Sequence, residues 1–303
     1  MQRMRGNIMD EIKDSFKQGS MLTKLIYINL GVFIVVRFIG SFYSLFVAEG
    51  SGLTFKGDIL PYLMLPSNIE TLLFRFWTPI TYMFLHFAFL HILFNLLTLF
   101  WFGRIFLQYL NPKQMLSTYL LGGLMGALFF VISYNLFPGL ATNGIVMGAS
   151  ASVMAIVIAI AVYAPNQEIH LVFLGRVKLK VLAIVFVVLD LIMIDSNNAG
   201  GHIAHLGGAF YGALFAMQLR KGRDAGRGFE RIMDAFSTLF KRRSKLKVTY
   251  KNKAKVMTDM EYNQSKAASQ KEVDKILDKI AKSGYDSLSK SEKEILFKMS
   301  NKN

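Results

Sequence analysis

Seven polar side chains stand where the surrounding sequence is almost wholly apolar: His86, His91, Asn95, Ser150, Ser152, His202 and His205. Polar or ionisable residues at bilayer depth are costly and are functional candidates by default. A serine hydroxyl opposite an imidazole is the pairing of nucleophile and general base. Acyl transfer also needs donors for the developing oxyanion. The backbone N–H of Ser150, the side-chain amide of Asn95 and the imidazole of His91 can supply them. Asp190 and Asp195 fall at the outer end of the fifth apolar run, at no defined distance from the base. The sequence therefore reads as a Ser/His dyad without an orienting acid. Ser152, two residues from Ser150 and on another face, reads as packing. His86 reads as structural support under the first loop, and His202 as either a cavity wall or a hydrogen-bonded structural residue. His170 lies in a connection and reads as a surface residue.

Other chemistries fit less well. His86 and His91 are five residues apart, about 140° around a helix, so as metal ligands they would diverge. No H-E-x-x-H occurs and no apolar run supplies a glutamate, which argues against an intramembrane metalloprotease. A proton-coupled transporter would show buried carboxylates and internal repeats, and neither is evident. No metal or other cofactor is implied. The absence of cysteine excludes disulfides, thiolate metal sites and a cysteine nucleophile.

The elements that must hold these residues are helices. The 303 residues are 53% hydrophobic, and six runs approach the ~20 apolar residues a spanning helix needs: 23–46, 79–103, 114–137, 143–164, 178–196 and 199–219. The expected class is an all-α polytopic membrane protein, a six-transmembrane-helix bundle with a small helical cytoplasmic tail. Residues 1–22 form an N-terminal segment, 23–219 the membrane domain, 220–255 a basic juxtamembrane helix and linker, and 256–303 a small helical extension. The first run lacks a small-residue cleavage signal and reads as a retained helix. The second, fourth and sixth runs share one polarity, which places His, Asn and Ser together in the outer half of the bilayer. Gly208 and Gly212 of the sixth run can let the fourth approach closely through its Gly148, Ala151 and Ala155. If Gly148 delays the start of the fourth helix, its regular part begins at Ser150. It is then too short to span, and the backbone before it lines a water-filled cavity.

Charge sets orientation. Lys and Arg cluster before the first run, in the 2–3 and 4–5 connections and in the tail, so both termini are expected to be cytoplasmic. From Arg220 onward the chain carries 22 Lys+Arg against 11 Asp+Glu, which suits anionic lipid; no nucleic-acid partner is expected. The stretch "FERIMDAFSTLFK" has the stripe of an amphipathic helix on the inner leaflet. Further on, two short helices are expected, the first ended by Ser-Gly and the second begun by a capping box of Ser289 and Glu292. The 1–2 connection is long and apolar enough to be a structured interfacial loop, with Trp77 as its anchor.

The segments "HFAFLHILFNLLTLFWFG", "GAS" and "AHLGGAFYG", in that order, resemble the three signature segments of the rhomboid family of intramembrane serine proteases. The resemblance covers about residues 24–219. It implies a six-helix core with an active site open to the outer face, Ser150 as nucleophile, His205 as base, and His91 and Asn95 at the oxyanion. Gly208 and Gly212 correspond to its helix-packing glycines. The expected protein is a serine endopeptidase of a bacterial inner membrane, cleaving single-pass or other transmembrane substrates. Three positions depart from the family pattern: Ala151 replaces a glycine after the nucleophile, Met154 a tyrosine that stacks on the base, and Trp77-Thr78 a Trp-Arg pair. The alternative reading is a weak or inactive relative that binds client helices. The end of the tail is similar to an extension found on some bacterial rhomboids.

Overall fold

A computed structural model describes residues 19–47, 52–140, 143–171, 175–195, 198–240 and 259–300. The chain divides into two compact units, one ending at Lys241 and one starting at Arg242.

The first unit is a multi-pass helical bundle. Its long helices are α1 (Met21–Phe46), α4 (Phe89–Tyr109), α5 (Pro112–Leu136) and α8 (Ala199–Arg220). The first three are long and apolar enough to cross a membrane. Two shorter helices, α6 (Ser150–Tyr163) and α7 (Leu179–Ile192), have 14 residues each. Large apolar side chains such as Phe38, Leu45, Ile184 and Ile192 point outward from α1 and α7, as a lipid-facing surface requires. Polar links tie the helices together inside. The amide of Asn29 on α1, fully buried, donates to the Tyr119 hydroxyl of α5 at 3.0 Å. The start of α5 is fixed by a capping box between Asn111 and Gln114, with Pro112 as the first helical residue.

Helix α6 is the axis of the bundle. Its ten residues from Ala151 to Ala161, Met154 aside, are buried, the mark of a helix apolar all round. It packs on α4, α5, α7 and α8, and small residues make this possible. A Cβ at Gly208 or Gly212 of α8 would overlap the carbonyl oxygens of Ala151 and Ala155. A Cβ at Gly122 of α5 would overlap the Ala155 methyl, and one at Gly126 would stand 2.6 Å from the Ala151 methyl. The methyl that distinguishes Ala151 from glycine is thus received by Gly126.

Several expectations require correction. The second apolar run is not one helix from 79. A short helix α3 (Thr78–Thr81) passes into a 3-10 turn (Tyr82–Phe84), then into extended backbone, and α4 starts only at Phe89. His86 therefore lies outside any helix. The fourth and fifth runs are also shorter than expected, and strands are present. In the 1–2 connection, β1 (Leu65–Pro66) pairs antiparallel with β2 (Ile145–Val146) just before α6. In the 4–5 connection, β3 (Glu168–Leu171) and β4 (Gly175–Lys178) form a hairpin. The 1–2 connection is otherwise a series of short turns and α2 (Ile69–Phe74), with the Trp77 indole donating to the Tyr62 carbonyl at 2.8 Å.

The striped segment forms α9 (Arg227–Phe240). Its acidic side is tied to the start of α5: Lys113 Nζ meets Asp234 at 2.6 Å, and the Ser117 hydroxyl donates to Glu230 at 3.3 Å. The second unit holds α10 (Asp259–Ser283) and α11 (Lys290–Ser300), the first longer than expected. Gly284 follows α10 with φ +77°, and Ile276 and Leu288 are buried. Ser289 N–H donates to Glu292 at 2.7 Å, and Glu292 N–H to the Ser289 hydroxyl at 3.3 Å. The Ser289 N–H, with Lys279 at 3.0 Å, holds the Glu292 carboxyl well below the usual range, at about 2.

Candidate active site

The site forms around the start of α6. Gly148 has φ +133°, which L side chains rarely adopt, and a Cβ there would stand 2.8 Å from the His91 ring. Glycine is required on both counts. The chain then turns straight into a helix whose first residue is Ser150.

The first N–H groups of any helix lack intrahelical partners. Here the broken second run supplies them. Gly148 N–H donates to the Tyr82 carbonyl at 2.9 Å, and Ala149 N–H donates to His86 Nε2 at 3.3 Å. The other nitrogen of His86 is 3.4 Å from the Phe84 carbonyl, so Nδ1 carries the proton and Nε2 accepts. The chain leaves α-helical geometry over 82–88 and offers one carbonyl and one imidazole to the loop before Ser150. Because α4 starts late, the helical 140° separation does not apply to His86 and His91. Their rings lie 5.0 Å apart, edge to face.

A cavity of about 420 Å³ opens beside this helix start, and Ser150, His205, His91, Asn95 and Met154 all line it. Of the seven polar residues singled out from sequence, four therefore share one space. Asn95 is held in place by donating to the His91 carbonyl at 2.9 Å, which occupies one of its two amide hydrogens. The remaining wall is largely apolar, with Met147, Val153 and Phe186. Ser152 is not part of the cavity. It is fully buried, and its hydroxyl would lie 2.5 Å from a Cβ on Gly123 of α5. His86, His202, Gly208 and Gly212 also stand outside the cavity wall, where they act on the elements that form it.

The sequence leaves Asp190 at no defined distance from His205, and the structure brings the two into contact. His205 Nδ1 is 2.9 Å from Asp190 Oδ1, and His202 Nδ1 is 2.8 Å from the same oxygen. Asp190 is the single carboxylate of α7 and is buried, with its Oδ2 lacking a partner among the described residues. Asn198, from the turn before α8, also lines the cavity and was not singled out. Asp190 corrects the expectation that no buried carboxylate is present; its signal in the sequence is that a carboxylate within an otherwise apolar run demands a partner. Asn198 lies just before the sixth apolar run and carried no such signal. Asp190, His202 and His205 together could also hold a divalent cation by their donor types and spacing.

Two family models match the chain. Residues 73–222 match the Rhomboid domain, and residues 257–302 match a family of unknown function, DUF6576. Among curated proteins, the RHOMBOID-like protein 12, mitochondrial, of Arabidopsis thaliana is 30% identical over 161 residues. That alignment covers 49% of this chain and 48% of the plant protein, so the chain spans about half the length of the relative it matches.

Proposed function

We propose that this multi-pass membrane protein, which carries a rhomboid domain at residues 73–222, is a serine endopeptidase cleaving transmembrane clients. The observation that carries the reading is the gathering of Ser150, His205, His91 and Asn95 around one cavity at the start of α6. In the reaction, His205 Nε2 takes the Ser150 proton while Oγ bonds to the scissile carbonyl carbon. The oxyanion accepts from His91, the Asn95 amide and the Ser150 N–H. Collapse breaks the C–N bond, and the leaving amine takes its proton from His205. A water molecule, deprotonated by His205, then attacks the acyl carbon; the C–Oγ bond breaks and Ser150 Oγ takes back its proton from His205.

The proposal includes a six-span topology in a bacterial inner membrane, with both termini cytoplasmic and the site open to the outer face. The asymmetric placement of Lys and Arg supports this orientation. Helix α6 supports a water-accessible site: 14 residues at about 1.5 Å each fall short of about 30 Å of hydrocarbon. Clients would enter sideways, with the scissile bond near the outer surface, and the basic tail would face anionic lipid. Met154 lines the cavity where a thioether can pack against an imidazole.

The test is fluorophosphonate labelling of the purified protein in detergent. Ser150→Ala should abolish labelling, His205→Ala should reduce it strongly, and Ser152→Ala should retain it. A folded wild type that neither labels nor cleaves a transmembrane substrate would replace this reading with a client-binding, non-proteolytic one.

A further inference from the structure

We infer that Asp190 is a positioning residue for the reaction, holding His205 in the tautomer that can act as base; this rests on the serine-hydrolase reading above. A neutral imidazole carries its proton on one nitrogen only. Asp190 Oδ1, 2.9 Å from His205 Nδ1, accepts that proton's hydrogen bond. The lone pair is then left on Nε2, the nitrogen that must receive the Ser150 proton. Without the carboxylate nothing selects between the two tautomers, and the ring is free to turn about its Cβ–Cγ bond.

Three observations support a built arrangement and not a chance contact. A carboxylate inside an apolar helix is costly, and it is retained where it pairs. The side chains of Asp190, His202 and His205 are only 8%, 12% and 19% exposed. His202 and His205 are three residues apart on α8, so they share a face, and both bring Nδ1 to the same oxygen. His202 thereby fixes Oδ1 from the second side, so the carboxylate cannot swing away from His205. Other ionisable groups near this cluster are His91, across the cavity on α4, and Tyr134 of α5, whose hydroxyl lies by Gly200. Asp195 lines a different cavity with Ile203 and Leu206.

When Ser150 gives up its proton, the proton travels from Oγ to His205 Nε2 and the imidazole becomes a cation. Asp190 stabilises that cation across the hydrogen bond and takes no proton itself, the part a carboxylate plays in a Ser-His-Asp triad. Asp190 touches no substrate; it acts through His205.

The test uses the full-length protein in detergent, with two readouts. In wild type, ¹⁵N spectra of the five histidines, assigned by single His→Gln variants, should show His205 as the Nδ1–H form. Asp190→Asn, which offers an amide donor to Nδ1, should shift it toward Nε2–H. The same variant should lower kcat on a transmembrane substrate by at least about 30-fold with KM within about twofold, the pattern of an interaction made in the transition state. Asp190→Glu should recover part of the loss. An Nε2–H form in wild type, which a cation held by the three groups would also impose, overturns the inference. So does an Asp190→Asn enzyme within about twofold of wild-type kcat. If Asp190→Asn does not fold, the wild-type tautomer decides. Failure of wild type to label with fluorophosphonate defeats the hydrolase reading instead, while the tautomer still reports whether Asp190 holds His205.

Discussion

The protein holds two pairs of histidines in nearly the same mutual geometry. The His86 and His91 rings are 5.0 Å apart at 66°, and the His202 and His205 rings are 5.7 Å apart at 78°. What anchors them differs. His86 is fully buried and spends both nitrogens on backbone groups, Ala149 N–H and the Phe84 carbonyl. His202 and His205 spend one nitrogen each on a carboxylate. An imidazole saturated by the backbone is a bracket, with no nitrogen left to move a proton. An imidazole held at Nδ1 alone keeps a basic nitrogen for chemistry. On the proposed reading, His86 and His205 thus divide into scaffold and reagent according to their partners.

That division can be broken by substitution. The largest effect should come from His205→Ala, which on the proposed hydrolase reading removes the base and should slow labelling of Ser150 by about 10²–10⁴-fold. His91→Ala should follow, lowering kcat by about 10²–10³-fold, the usual loss for one oxyanion donor. His86→Ala should register first as stability: it strands the buried Ala149 N–H, and thermal unfolding should report a loss of about 1–3 kcal/mol. A His86→Ala protein as stable as wild type would erase the contrast.

The smallest effect concerns a carboxylate held by backbone, the inverse of the Asp190 case. The Glu292 carboxyl is pushed down to about 2, chiefly by Ser289 N–H and then Lys279. A depressed carboxyl contributes stability that is fully present above its ordinary value of 4.5 and is lost as pH falls through about 2. In Glu292→Gln, amide exchange across 285–296 should outpace wild type at pH 5. The two proteins should converge as the pH drops toward about 2. A constant ratio across that range would remove the role assigned to this carboxylate.

How far these contrasts were legible in sequence depends on what hydropathy measures. It counts apolar side chains and is blind to the backbone that carries them. "YMFLHFAF" is as apolar as any spanning helix, yet its backbone turns through a 3-10 segment and then extends before Phe89, and there it offers acceptors to Gly148 and Ala149. The polar residue in that stretch, His86, was the visible clue, and a helical assumption hid it. Gly148 in the sequence implies a delay to the fourth helix, and α6 begins at Ser150. The glycine spacing of the sixth run implies a packing face, and Gly208 and Gly212 meet Ala151 and Ala155. Those inferences needed only one helix at a time. The contact between Asp190 and His205 needed the relative rotation of two helices, which residue spacing along a chain does not encode. The same limit applies to α9, whose stripe was plain but whose links to Lys113 and Ser117 join positions more than a hundred residues apart.

The position of Ser150 at the first residue of α6 makes that helix a measuring rod. The height of the hydroxyl above the far end is a residue count, 14 at about 1.5 Å each. Its bearing toward His205 is set by the same count taken in steps of about 100°. Adding or deleting one residue would barely change the height and would turn the hydroxyl away from its partner. A change close to a whole number of turns would largely keep the bearing and move the hydroxyl to a new depth. Depth and aim are therefore separately adjustable along this one helix.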